Sequence, residues 1–133
     1  MALVWTMEEY GTGFEEVDAQ HQALFTHINR LIEAIDRGDG ETELHILVQF
    51  LSGYLATHFV CEERLMKRHK CGSCKLNEAE HRRFAKDFSA FKERFRETGP
   101  TEELAHELKT RMVAWVAGHI RKVDSGLRDV APQ

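Results

Sequence analysis

His58 and Glu62 stand four residues apart in the stretch YLATHFVCEERLM. In a helix that spacing puts both on one face, a turn apart, and the apolar residues around them make it the inner face. A buried imidazole or carboxylate is costly without a partner. Asn77 and His81 repeat the four-residue step, His119 and Asp124 are five apart, and His21 stands alone. Imidazole nitrogens and carboxylate oxygens without thiolates suit borderline divalent metals such as iron, zinc or manganese. Four histidines and two carboxylates exceed what one tetrahedral zinc uses. Two cations bridged by Glu62 and Asp124 would use all six, and their binding would offset the cost of burial. The five-residue step turns Asp124 sideways unless the helix end unwinds.

Four amphipathic segments must carry these groups. Asp18 is a good N-cap for a first helix that ends at Gly38-Asp39-Gly40, with His21, Leu24, Phe25, Ile28, Leu31, Ile32 and Ile35 on its inner stripe. The second runs from about Glu41 to Lys70 and carries Leu44, Leu47, Val48, Leu51, Tyr54, Leu55, His58, Phe59, Glu62, Leu65 and Met66 inward. The third, from about Leu76 to Glu97, presents Asn77, His81, Phe84, Phe88, Phe91 and Phe95. Gly99-Pro100 stops it, and Thr101 caps a fourth bearing Leu104, Leu108, Met112, Trp115, Val116, His119, Ile120 and Val123, with Asp124 at its end. Short connections predict an all-α, antiparallel up-down-up-down four-helix bundle. In that topology the starts of helices one and three lie beside the ends of helices two and four. His21, His58, Glu62, Asn77, His81, His119 and Asp124 then converge at one end. His27, His45, His69 and His106 fall off the stripes or far from that level, and read as surface residues.

The 133 residues suffice for a single domain with one core. Residues 1–17 read as an N-terminal arm, 18–124 as the bundle and 125–133 as a tail, the two ends extended or loosely ordered. A net charge of −4 disfavours a nucleic-acid phosphate binder. No run reads as a membrane span, and the N-terminus lacks the pattern of a secretory signal, so the expected location is cytoplasmic. Three cysteines make no disulfide framework. Cys71 and Cys74 form a CGSC element before helix three, readable as a redox pair, a labile metal site or two ordinary thiols. Cys61 reads as a packing residue.

Trp5, GFEEVDAQHQAL (13–24), HFVCEE (58–63) with Met66, NEAEHRRF (77–84) and WVAGHIRKVD (115–124) together resemble the hemerythrin family, over nearly the whole chain. The resemblance implies a four-helix bundle holding two non-haem irons that bind O2 reversibly. It places His21 and His58 on one iron and His81 and His119 on the other. Glu62 and Asp124 become bridging carboxylates beside an oxo or hydroxo bridge. It also implies that a tryptophan of the N-terminal arm packs over the metal end. One departure stands out: the family usually has a histidine at the position of Asn77. Asn77 can bind weakly through its amide oxygen, hold a water, or serve only the helix start. Glu78, Glu80, His69 and Cys74 are alternative replacements.

The expected function is a diiron module that senses oxygen or iron redox state, with O2 or another small diatomic as ligand and a linked or separate signalling domain as output. An oxygen carrier or store, a peroxide or nitric oxide reductase, and a zinc-stabilised structural bundle are the alternatives. Beyond the ligands, Tyr54, a turn from His58, is the nearest group able to move a proton.

Overall fold

The computed structural model describes residues 2–131. Five α-helices follow one another: α1 (Met7–Tyr10), α2 (Glu15–Asp36), α3 (Gly40–Arg68), α4 (Cys74–Thr98) and α5 (Glu102–Trp115). α5 continues into a π-helical turn, Val116–Ile120, and a 3-10 helix follows at Asp124–Asp129. No β-strand occurs among the described residues. α2 to α5 are the four expected helices. Gly38 (φ 79°) and Gly99 (φ 73°) make the tight reversals after α2 and α4 in a region where a side chain would be strained. Thr101 caps α5, its hydroxyl accepting from Leu104 N at 3.1 Å.

The expected N-cap at Asp18 is wrong. α2 begins at Glu15, and Asp18 lies buried in its first turn. The Asp18 carboxylate accepts from Thr12 N (2.8 Å) and Thr12 Oγ1 (2.9 Å), tying down the incoming loop instead. The arm is not loose either. α1 is capped by Thr6, and Asn29 on α2 holds Leu3 through its backbone N and O at 2.7 and 2.8 Å. Trp5 packs, half-buried, against the main core.

The core has two parts. The larger runs the length of the bundle and includes Leu24, Ile28, Leu31, Leu44, Leu51, Phe91, Leu108 and Met112. The smaller caps one end and consists of Val17, Met66, Cys71 and Leu127, with Phe14, Leu65, Cys74 and Val130 against it. Thus the tail, expected to be extended or loosely ordered, supplies Leu127 to the cap; its residues 132–133 lie outside the described residues. Arg128 fastens it by donating to Gly11 O at 2.7 Å. α3 also corrects the hydropathy reading: its best 18-residue window averages 1.4, enough by length and composition for a membrane span. Its inner stripe packs against α2, α4 and α5.

Candidate metal centre

Between the two apolar clusters lies a buried polar layer: His21, His58, Glu62, Asn77, His81, His119 and Asp124. All seven expected side chains are present there, delivered by the starts of α2 and α4 and the ends of α3 and α5. The convergence itself shows the up-down-up-down order.

The layer has two lobes. In one, His21 Nε2 lies 3.0 Å from His58 Nε2, 3.3 Å from Glu62 Oε2 and 3.1 Å from Asp124 Oδ2. In the other, His81 Nε2 lies 3.0 Å from Glu62 Oε1, and His119 Nε2 lies 2.9 Å from Asp124 Oδ1 and 3.8 Å from Glu62 Oε1. Each carboxylate therefore offers one oxygen to each lobe. Neighbouring ligand atoms around an octahedral cation with bonds near 2.1 Å are about 3 Å apart. Glu62 Oε2 and Asp124 Oδ2 are buried without a hydrogen-bond partner. Unpaired buried carboxylate oxygens facing imidazole nitrogens at these separations fit a cation in each lobe. The two groups of four residues that could each hold a metal ion, His21-His58-Glu62-Asp124 and Glu62-His81-His119-Asp124, share both acids.

Asp124 reaches the layer where the helix breaks off. The chain leaves the π turn through residues 121–123 before the 3-10 helix begins, with Val123 N donating to His119 O at 2.7 Å. Across that exit Asp124 Oδ1 lies 2.9 Å from His119 Nε2. Single π turns in α-helices are frequent at functional sites. Asn77 is fully buried in the second lobe. With its amide nitrogen inward, that atom lies 2.9 Å from Glu62 Oε1, His81 Nε2 and His119 Nε2, and 3.1 Å from Asp124 Oδ1.

The sequence reading missed the outer partners of the imidazoles. His58 Nδ1 donates to Gln20 (2.5 Å), His81 Nδ1 to Glu63 (2.8 Å) and His119 Nδ1 to Glu80 (2.6 Å). These bonds fix the tautomer and aim each Nε2 lone pair inward. Each partner sits next in sequence to an inward residue of its own helix, Gln20 to His21, Glu63 to Glu62 and Glu80 to His81, and orients the histidine of the following helix. The ring breaks at His21, whose Nδ1 has no partner; the residue before His119 is Gly118. Polar residues beside ligands were the available signal. Aromatic plates complete the support: Phe59 stacks on His81 (3.7 Å), Trp115 on His119 (3.9 Å) and Tyr54 on His58 (4.7 Å).

Charge is strongly coupled in this layer. Burial opposes a charged His21, but the facing carboxylates of Asp124 and Glu62 raise it to about 9. His119 is raised to about 10, again against burial and through Asp124 and Glu62. Burial prevails at His58, which is lowered. Burial would raise Glu62, yet the surrounding imidazoles hold it well below the usual carboxylate range. Asp124 is raised by burial and by the charge of Glu62. Burial also raises the Tyr54 hydroxyl, which has no partner. The other candidates lie elsewhere. Glu80 serves His119 from outside, Glu78 pairs with Lys67 at 3.2 Å, and His69 packs on Phe14. Cys74 faces Glu78, and Cys61 donates to Glu16 at 3.2 Å. A groove of ≈ 350 Å³ between α4 and α5, walled by Phe84, Phe88, Met112 and Trp115, borders His119 and Glu80.

A family model described as the Hemerythrin HHE cation binding domain matches residues 12–131. The chain belongs to the hemerythrin family. A bacteriohemerythrin from Methylococcus capsulatus (strain Bath) is 30% identical over 126 residues, 93% of each chain. One from Pseudomonas aeruginosa (strain PAO1) is 29% identical over 127 residues, 96% of this chain and 80% of its own length. A crystal structure of wild-type hemerythrin superposes with a TM-score of 0.73 at 22% identity, covering 98% of both chains, which supports the hemerythrin bundle as the fold.

Proposed function

We propose that this hemerythrin-family chain is a non-haem diiron protein that binds O2 or another small diatomic and reports oxygen or iron redox state. In this reading residues 1–133 form one domain, with output through a linked or separate signalling domain. His21 and His58 hold one iron, and His81 and His119 the other. Glu62 and Asp124 bridge them beside an oxo or hydroxo group. The irons, when bound, supply reversible electron transfer to a small oxidising ligand.

The chain's own residues supply the rest. Gln20, Glu63 and Glu80 keep the imidazole lone pairs inward. Phe59 and Trp115 hold two rings in place, and the Leu127 cap excludes water. The α4–α5 groove offers a small apolar molecule an approach to the His119 side. α3 and the 3-10 helix that follows α5 carry the bridging acids, so they are the elements a change of iron charge would move.

The observation carrying the sensing role is Asn77. Its amide atom stands about 3 Å from four ligand atoms of one lobe, the separation of a fifth ligand. Turned over, the amide presents oxygen inward. A neutral amide oxygen is a weaker donor than the imidazole usual there in the family, so the second lobe exchanges ligands and admits water more readily, which shortens the life of the oxygenated state. That suits a sensor better than a store.

Anaerobic loading with ferrous salt is expected to give two irons per chain, and O2 titration to give near-ultraviolet and visible bands that fade within a few cycles. Asn77→His should lengthen their lifetime. Fewer than two irons, or no O2-dependent band, would sink the reading. Survival through many cycles would favour a carrier, and turnover of peroxide with an electron donor would favour a reductase.

A further inference from the structure

We propose that Cys71 and Cys74 form a peroxide-oxidisable dithiol, a modification site separate from the cation ligands. The thiols are free and lie on the turn from α3 to α4. Cys74 N donates to Cys71 O at 3.2 Å, closing a four-residue turn. Such closure keeps the two Cα atoms within about 7 Å, and disulfides span about 4.4–6.8 Å. The preceding residue, Lys70, holds φ at 54°, a conformation that disfavours side chains. That reversal, with Cys71 N donating to Met66 O at 2.9 Å, turns Cys71 toward the cap.

The surroundings favour the reaction. Both thiols line a cavity of ≈ 470 Å³ together with Lys67, Lys70 and Lys75. Ammonium groups stabilise a thiolate. The first turn of α4 contains no acidic side chain, so the positive end of its dipole at Cys74 is uncompensated from within the helix. The two cysteines have different neighbours. Cys74 Sγ faces Glu78 Oε1 at 3.9 Å, and burial with that carboxylate raises its thiol. Because a carboxylate faces Cys74 while Cys71 lines the same cavity from the apolar cap, Cys71 is assigned as the attacking sulfur and Cys74 as the resolving one.

The Cys71 thiolate attacks hydrogen peroxide, the O–O bond breaks and hydroxide leaves, giving a sulfenic acid. The Cys74 sulfur then attacks Cys71, the S–O bond breaks, and the departing hydroxide takes the Cys74 proton and leaves as water. Two thiols and one peroxide become one disulfide and two waters. The linked turn touches the C-terminal segment: a side chain on Gly126 would meet Ser73 Oγ at 2.6 Å. It also begins the helix that carries Asn77 and His81.

The test uses the full chain with stoichiometric hydrogen peroxide, with and without chelator, so that its outcome is independent of iron loading. Free thiols should fall from three to one, the mass should fall by two hydrogens, and peptide mapping should join Cys71 to Cys74. Dithiothreitol should reverse the change. Cys61→Ser should leave this loss of two thiols unchanged, and Cys74→Ser should trap Cys71 as a dimedone-reactive sulfenic acid. Persistence of both thiols in excess peroxide, prior oxidation of Cys61, or uptake of oxygen without pairing in the unmutated chain would overturn the proposal.

Discussion

At the scale of single residues, the centre depends on groups that never face its interior. Glu80 fixes which nitrogen of His119 carries the proton, at 2.6 Å. Glu80→Gln keeps the shape but removes the charge, and should weaken divalent-cation binding about 10–100-fold, read by competition with a chromophoric chelator. Proton competition belongs at this scale too. With His21 raised to about 9 and His119 to about 10, both are protonated at neutral pH before loading. Cation binding at pH 7 should release protons, and affinity should climb as pH rises from 7 to 9. Calorimetry in buffers of different ionisation enthalpy measures the count; heat independent of buffer would contradict the assignment.

At the scale of elements, the end of α5 is decisive. His119 and Asp124 act together although their spacing is wrong for an α-helix, because the chain leaves the helical path between them at residues 121–123. Deleting Lys122, an exposed residue of that exit, should displace Asp124 from the layer and abolish pairwise cation binding. Far-ultraviolet dichroism should remain close to that of the parent, and metal analysis should show the loss. The segment after it closes the bundle end. Leu127 is fully buried among Val17, Met66 and Cys71, so Leu127→Ala should cost about 2–5 kcal/mol in urea unfolding. A cost below about 0.5 kcal/mol, typical of surface positions, would mean the cap is not part of the core.

At the scale of the whole molecule, a polar layer is clamped between two apolar clusters, so folding and titration are linked. The folded values of His21 and His119 lie above the ordinary 6.5. Their stabilisation is present in full below pH 6.5 and is lost as pH rises through the folded values, with a slope of up to about 1.4 kcal/mol per pH unit for each group. Cation-free protein should therefore melt at a lower temperature at pH 9.5 than at pH 6.5. Cation-loaded protein should lose less, because cations then take the place of the protons. Melting of both forms across that range checks the sign.

Periodicity in the chain determined four helices, their stripes and the shared depth of seven polar side chains, because helical winding is local and repeats every 3.6 residues. Asp18 shows where a single-residue rule failed: its carboxylate suits an N-cap, but the helix starts three residues earlier and the acid holds Thr12, six residues back in the incoming loop. Gln20 and Glu63 had no role in the sequence pattern, and Glu80 only that of an alternative ligand, until a neighbouring helix brought a histidine to each. The burial of Leu127 depended likewise on partners remote in sequence. Inward-facing chemistry was written along each helix; its orientation and closure arose between helices, where distance in space has no counterpart in residue spacing.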